Sequence, residues 1–163
     1  MTMQLIEHEL KRGDIWREQS AGMDEKAQKK WEFAMKKQDQ FISSCLQTLL
    51  NLAEDLKIEV KMVKRGIIPI LLRCLDHNTS AALLKATVNF IWKLSVLENR
   101  KVLESGETVE KCIRLLNGVS CTPDLRSSIF TVLFNFSHDL NAKRIMVNAG
   151  LVNLVAPSIE GDL

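Results

Sequence analysis

The sequence predicts an all-α protein built from tandem helical repeats, and three related strings carry this prediction. Leu50–Ala53, Trp92–Ser95 and Phe134–Ser137 share one pattern of apolar and small polar residues, and successive strings lie 42 residues apart. Apolar residues upstream of each string recur at helical spacing. A period of about 40 to 47 residues filled with helices is typical of armadillo and HEAT repeats. We therefore predict an armadillo-type right-handed helical solenoid, with about two full three-helix repeats, a leading long helix and a trailing partial repeat.

The N-terminal part of the chain is predicted to lead into the first repeat. Gly13, Ser20 and Gly22 interrupt residues 1–23, so this segment is either a short helix or a flexible connection. From residue 24 onward, apolar residues recur at steps of three and four and predict a long helix over 24–55. Trp31 on that helix is a candidate for an exposed aromatic contact, and capping of the first repeat is an equal alternative.

The remainder, which with the long helix forms a predicted armadillo-repeat domain over 24–163, divides into repeats at about 57–97, 98–139 and 140–163. In the first repeat, a short helix stops at Gly66, a second carries Pro69 in its first turn, and a longer third runs over 80–96. The second repeat has helices at 100–104, 109–116 and 123–138, with a connector over 118–122.

The third repeat has helices at 143–148 and 151–159 and no long third helix. The apolar face of the last helix lacks the neighbour that its pattern anticipates, which predicts self-association through this C-terminal helix. That face consists of Leu151, Leu154, Val155 and Ile159.

Composition restricts the function classes. The 163 residues are 46% hydrophobic and 26% charged, with 22 basic and 20 acidic side chains and a net charge of +2. This balance disfavours sequence-independent binding of nucleic acid. There is no apolar run of the ~20 residues that span a bilayer. The four cysteines follow no C-x-x-C spacing and are predicted to be small buried hydrophobes in a reducing compartment, which indicates a cytoplasmic protein.

The predicted partner-binding groove is a row of polar side chains. In armadillo units the third helix lines the inner surface, and each predicted third helix carries polar residues at a spacing of four. Such side chains can hold the backbone of an extended protein segment. With two lysines and no acid, the row favours neutral or acidic segments. The alternative is that these residues form only the solvent-exposed polar face that any amphipathic helix has. The nine residues are Ser43, Gln47, Asn51, Lys85, Asn89, Lys93, Ser127, Thr131 and Asn135.

Catalysis finds little support in the sequence. Ser137, His138 and Asp139 have the residue types of a catalytic triad. Adjacent residues at a helix end point roughly 100° apart, so these side chains cannot form the required chain of hydrogen bonds. Asp139 is better assigned to a turn between helices. The three histidines, at 8, 77 and 138, are scattered, and no metal, phosphate or dinucleotide motif is present. We predict no catalytic residues, no cofactor and no metal. Trp92 shares the register of Leu50 and Phe134, so we predict a packing role for it.

Several strings resemble the armadillo region of the kinesin-associated protein family, the non-motor subunits of heterotrimeric kinesin. The resemblance spans about residues 14 to 156, in order and with matching gaps. The strings are Ile15–Gln19, Lys30–Glu32, Leu49–Asp55, Glu59–Met62, Lys93–Ser95, Val109–Lys111, Asn135–Ser137, Lys143–Val147 and Gly150–Leu151.

The resemblance implies a non-catalytic adaptor that holds the tails of two motor subunits and connects them to cargo. The resemblance also implies the cytoskeleton and the cilium as locations within the cell, in addition to the cytoplasm. Lys93 stands where the wider armadillo superfamily often has the asparagine seen at Asn51 and Asn135, so the row is interrupted. A general armadillo scaffold in signalling or cell-junction assembly is the alternative function, and it is motivated by the repeat alone.

Overall fold

The computed structural model of the chain describes residues 1–76, 80–96, 103, 106–118 and 121–160, with side chains described as far as residue 156. Within these ranges there are nine helices and no strand, so the all-α prediction is confirmed. The number of repeats and the handedness of the solenoid stay predictions. The chain divides into two compact units, Met1–Phe90 and Ile91–Leu163.

Four helices and most of a fifth make up the first unit. They follow the predicted order of a leading long helix, two short helices and a longer third helix. The last of them crosses the division between the units. The helices are α1 (Thr2–Gln19), α2 (Glu25–Leu52), α3 (Leu56–Lys64), α4 (Ile67–Asp76) and α5 (Ala81–Ser95).

The N-terminal segment, for which the sequence left a short helix or a flexible connection open, is one helix of 18 residues. Ile6 and Leu10 are buried where α1 packs against α2 and α4. An ion pair of 2.7 Å between Arg73 Nη2 and Asp14 Oδ2 joins α1 to α4. These contacts stabilise α1, because most of the stability of a helix in a protein comes from tertiary packing of its apolar face.

In the second unit, the helices are α6 (Gly106–Leu116), α7 (Pro123–Phe136), α8 (Leu140–Asn148) and α9 (Leu151–Glu160). The side chain of Thr122 accepts a hydrogen bond from Leu125 N, and Pro123 occupies the first turn of α7, where its missing N–H costs little. The helix predicted over 100–104 lies outside the described residues except for Leu103, which is helical and buried. His77 also lies outside them.

Corresponding positions of the repeats use the same local chemistry. Asp55 and Asp139, two periods apart, each cap a short helix by accepting hydrogen bonds from backbone N–H groups, at Lys57 and Ala142 respectively. Asp139 is therefore in the turn where the sequence placed it. Gly66 and Gly150, also two periods apart, follow the same two helices with φ of +85° and +80°. A residue without Cβ suits this left-handed position.

The core follows the 42-residue register. Leu46 and Val88, one period apart, are fully buried, whereas Phe130, the third residue of this register, is half-buried. The neighbouring register buries a residue in each of the three long helices, namely Leu49, Ile91 and Leu133. Because these residues turn inward, the residues two positions after them, about 200° around the helix axis, turn to the opposite side of each helix. These residues are Asn51, Lys93 and Asn135, one member of the predicted polar row on each long helix.

Candidate protein-binding site

The structure places the nine predicted groove residues on three helices, with three residues on each of α2, α5 and α7. None of the nine is buried. The half-buried members are Ser43, Asn89, Lys93 and Asn135, and the exposed members are Gln47, Asn51, Lys85, Ser127 and Thr131. Each set therefore forms one accessible stripe along its own helix.

On α2 the carboxamides of the stripe are joined to each other. Gln47 Nε2 donates a hydrogen bond of 3.1 Å to Asn51 Oδ1, one helical turn further along. A carboxamide has two N–H donors and an oxygen with two acceptor sites, so the Asn51 side chain retains donors for a backbone carbonyl of a partner. The bond between the two side chains also orients Asn51, which lowers the entropy that binding would cost.

On α7 the stripe is tied to the end of α5. Asn135 Nδ2 donates a hydrogen bond of 2.8 Å to Ser95 Oγ, and this hydroxyl in turn donates to the carbonyl of Trp92 at 2.6 Å. Asn135 is therefore held in place by a buried serine. Thr131 Oγ1 donates to the carbonyl of Ser127 at 3.0 Å, a local bond within the helix that a partner could exchange for its own.

Exposed aromatic side chains adjoin the row, and sequence reasoning missed them. Trp92 is 43% exposed and Phe134 is 65% exposed, so the packing role predicted for Trp92 is wrong. The register that relates them to Leu50 is real, but it places all three at the border of the core, where Leu50 is half-buried and the two larger rings extend into solvent. Adjacency to Lys93 and Asn135 was the available signal.

One face of α7 forms an open depression of about 540 Å³ that includes two members of the row. Phe130 and Phe134 supply its apolar surface, with Ser127 and Thr131 beside them. The ring of His138 meets Phe134 edge-on, with 5.6 Å between ring centroids. Apolar anchors beside hydrogen-bonding groups are the usual composition of a protein-binding surface.

Trp31, for which the sequence left an exposed contact and capping of the first repeat open, is not an exposed contact in the structure. Its side chain is half-buried, and its indole Nε1 donates a hydrogen bond of 3.0 Å to the carbonyl of Trp16 on α1. Trp31 therefore belongs to the packing between α1 and α2. The exposed aromatic residues of α2 are instead Phe33 and Phe41.

The residues Ser137, His138 and Asp139 do not act together. Ser137 Oγ donates to the carbonyl of Phe134 at 2.7 Å, the His138 ring contacts Phe134, and Asp139 caps α8. Their side chains point to separate partners, which a nucleophile, base and orienting acid could not do. Within the described residues no cluster of three or more His, Cys, Asp or Glu side chains is placed to hold a metal ion.

The four cysteines carry free thiols. Cys74 and Cys112 are buried, as predicted, and burial raises the pKa of each to about 12. Cys45 and Cys121 are half-buried. Burial, and then the negative charge of Glu9, raise the pKa of Cys45. A raised thiol pKa lowers the thiolate fraction, so these side chains are poor nucleophiles.

Comparison with known proteins identifies the family. The model of the kinesin-associated protein family matches residues 1–162. The chain belongs to the kinesin-associated protein family. No solved structure matches it. The family confirms the resemblance drawn from the strings and gives the chain a kinesin-associated role. For the described residues, no helix is both long and apolar enough to cross a membrane.

Proposed function

We propose that this chain is a non-catalytic adaptor module that binds protein partners through its row of polar side chains and links the motor subunits of a heterotrimeric kinesin to cargo. Membership of the kinesin-associated protein family over residues 1–162 is the observation that carries the proposal. The cytoplasm is the proposed location, with the cytoskeleton and the cilium as the sites where such transport operates.

The geometry of the row supports binding of an extended segment. Asn51 and Asn135 are both held by side-chain hydrogen bonds, to Gln47 and Ser95 respectively, and are thereby preoriented. Main-chain hydrogen bonds to asparagine side chains supply affinity without requiring a particular sequence. The exposed rings of Trp92 and Phe134 add apolar contacts that select among sequences.

The direct test is capture of the full chain by the C-terminal tails of the two motor subunits of a heterotrimeric kinesin. We expect binding by the parent chain and about tenfold weaker binding by the double variant Asn51→Ala with Asn135→Ala, because two oriented carboxamides are removed. The matched control is Asn117→Ala with Asn148→Ala, which removes two exposed asparagines outside the row.

The proposal fails if the tails bind the Asn51→Ala, Asn135→Ala variant as tightly as the parent, or if they bind neither chain. Circular dichroism of each variant separates loss of contact from loss of fold. A second comparison uses Lys85→Glu with Lys93→Glu. If the two lysines set the charge preference, this change weakens binding of acidic segments and leaves binding of neutral ones about equal.

A further inference from the structure

A second candidate interaction surface lies away from the polar row, between α1 and α2. There the two helices border an open cleft of about 410 Å³. Trp16 and Arg12 line it from α1, and Phe33, Lys37 and Phe41 line it from α2. Phe33 is 63% exposed and Phe41 is 44% exposed. Two exposed phenylalanines within one cleft form an apolar surface that the packing of the first unit leaves uncovered.

The cleft continues a stripe of basic and aromatic residues along α2. Its members recur at steps of three and four residues, so they share one face of the helix, and all of them are exposed. The acidic residues of α2, Glu25, Glu32 and Asp39, lie roughly 80–120° away from Phe33 around the helix axis. The stripe therefore combines lysines and phenylalanines without an intervening carboxylate. It consists of Lys26, Lys30, Phe33, Lys37 and Phe41.

The α1 wall of the cleft holds one carboxylate, and that group already has two partners. Glu9 Oε2 pairs with Arg12 Nη2 at 2.6 Å and accepts a hydrogen bond of 3.1 Å from Gln38 Nε2. Both cations of the cleft lie over aromatic rings. The Arg12 guanidinium is 4.6 Å from the Trp16 ring centroid, and the Lys37 ammonium is 5.5 Å from that of Phe33. The cleft thus presents an apolar floor, with the Lys37 ammonium on the α2 side and the ion pair of Arg12 and Glu9 on the α1 side.

We propose that this cleft binds an acidic amphipathic helix of a protein partner. The apolar face of that helix contacts Phe33, Phe41 and Trp16, and its carboxylates pair with Lys30 and Lys37. A helix with apolar residues at steps of three and four fits a groove with aromatic residues eight positions apart on one helix. This surface is separate from the polar row, so the chain carries two sites for different partner segments.

The observations favour a peptide over a bilayer or a nucleic acid. The stripe carries three lysines, and the chain as a whole carries only +2. Anionic membranes and nucleic acids require a broader basic surface to release counterions or to hold headgroups. A cleft of this volume instead accommodates single apolar side chains, which are the groups by which a protein partner anchors itself in a pocket.

The test uses the full chain and a synthetic helical peptide of about 18 residues, with leucine at steps of three and four and glutamate at the flanking positions. Binding is followed by the indole N–H signals in a ¹H–¹⁵N spectrum, since the chain has three tryptophans. We expect the Trp16 signal to shift on titration and the Trp92 signal to stay unchanged, because only Trp16 lines the cleft.

Variants assign the binding to the two components of the surface. Phe33→Ser with Phe41→Ser should raise the dissociation constant about tenfold, since it removes the apolar anchors from exposed positions. Lys30→Glu with Lys37→Glu should raise it at least as much and reverse its dependence on salt, because the new carboxylates repel the glutamates of the peptide and salt screens that repulsion. The matched control is Lys57→Glu with Lys64→Glu, two exposed lysines of α3 that do not line the cleft. It should leave the dissociation constant within about twofold.

Three results would overturn the proposal. One is equal binding of the acidic peptide and of a version with lysine in place of glutamate. Another is unchanged binding by the Phe33→Ser, Phe41→Ser variant. The third is binding of vesicles of phosphatidylcholine and phosphatidylserine that is lost in the same variants, while the peptide produces no shift of Trp16. That outcome assigns the surface to a membrane.

Discussion

At the scale of single residues, the contact between α1 and α2 depends on a glycine and a glutamine that face each other. A Cβ built on Gly13 would lie 2.6 Å from Gln38 Oε1. Gln38 is buried, and its Nε2 donates to the carbonyl of Glu9 at 2.8 Å and to the Glu9 carboxylate at 3.1 Å. The glutamine therefore cannot turn away from a larger residue without losing bonds in a buried setting.

This arrangement predicts a strong coupling between the two positions. Gly13→Ala alone should lower the free energy of unfolding by about 1 kcal/mol, because overpacking outweighs the better helix propensity of alanine. In a Gln38→Ala background the same change should raise it by about 0.5–1 kcal/mol, since the opposing oxygen is gone and the propensity gain remains. Urea unfolding of the four chains measures the cycle. Additive effects would show that the close approach is not energetically important.

The cysteines predict a graded reactivity. At pH 8 a thiol with a pKa of about 12 is ionised to a fraction of only about 10⁻⁴, so Cys74 and Cys112 should resist iodoacetamide in the folded chain. Cys121, which is half-buried, should be alkylated first. Mass spectrometry of peptides from timed samples measures the order, and in guanidinium all four should react alike. Alkylation of Cys112 at the rate of Cys121 would contradict the burial.

The same pKa shifts predict how Cys74 and Cys112 change the free energy of unfolding at alkaline pH. In the folded chain the thiols of Cys74 and Cys112 stay protonated up to about pH 12, whereas unfolded thiols ionise near 9.0. Their contribution is fully present below pH 9 and is lost as the pH rises to about 12.

At the scale of elements, α1 is held by apolar packing, and two adjacent residues test this. Ile6 is buried against α2 and α4, whereas Leu5 is exposed. Ile6→Ala should lower the free energy of unfolding by about 2–4 kcal/mol through lost burial and the cavity left behind. Leu5→Ala should stay within about 0.5 kcal/mol. Urea unfolding with amide exchange of α1 measures both, and equal effects would mean that α1 is not docked in solution.

The sequence predicted elements better than it predicted exposure. Periodicity and turn chemistry located α2 to α5, and Gly66 and Asp139 have the local roles assigned to them, because these signals act within a few residues. Contacts between distant elements are not visible in this way. One such contact lies at the start of α5. The backbone N–H of Ser80, just before α5, donates a hydrogen bond of 2.7 Å to Oδ2 of Asp39, a buried residue of α2. Neither the spacing nor the residue types near Ser80 indicate it.

The exchange of roles between Trp31 and Trp92 has the same origin. Apolar register predicts which residues share a face, but whether a ring at the border of that face is covered depends on the neighbouring helix. Trp31 is covered by α1, a helix that the sequence left undecided, and its indole N–H finds a backbone carbonyl there. Trp92 lies just beyond the buried register of Ile91 and is left 43% exposed.

At the scale of the whole molecule, membership of the kinesin-associated protein family and the exposed surfaces point to a chain that works by contact with other proteins. The polar row on α2, α5 and α7 and the aromatic cleft between α1 and α2 differ in composition. The row offers carboxamides, hydroxyls and lysines, while the cleft offers phenyl rings bordered by cations. Partners suited to one surface are poorly suited to the other, so we expect the two proposed sites to select different partners.

The C-terminal helix predicts how the isolated chain behaves in solution. Three apolar residues of α9 are only half-buried, namely Leu151, Leu154 and Val155. Val152 on α9 is 59% exposed, and Val147 on α8 is 60% exposed. We expect an apolar face of this kind to associate with a second copy through a two-fold contact. Sedimentation velocity should show a mass that rises with concentration, and Val152→Glu should restore a monomer because it places a charge in the contact. Leu5→Glu, an exposed leucine of the first unit, is the control and should leave the association unchanged. A parent chain that sediments as a monomer at every concentration would show that α8 and α9 together cover enough of this face to keep copies apart.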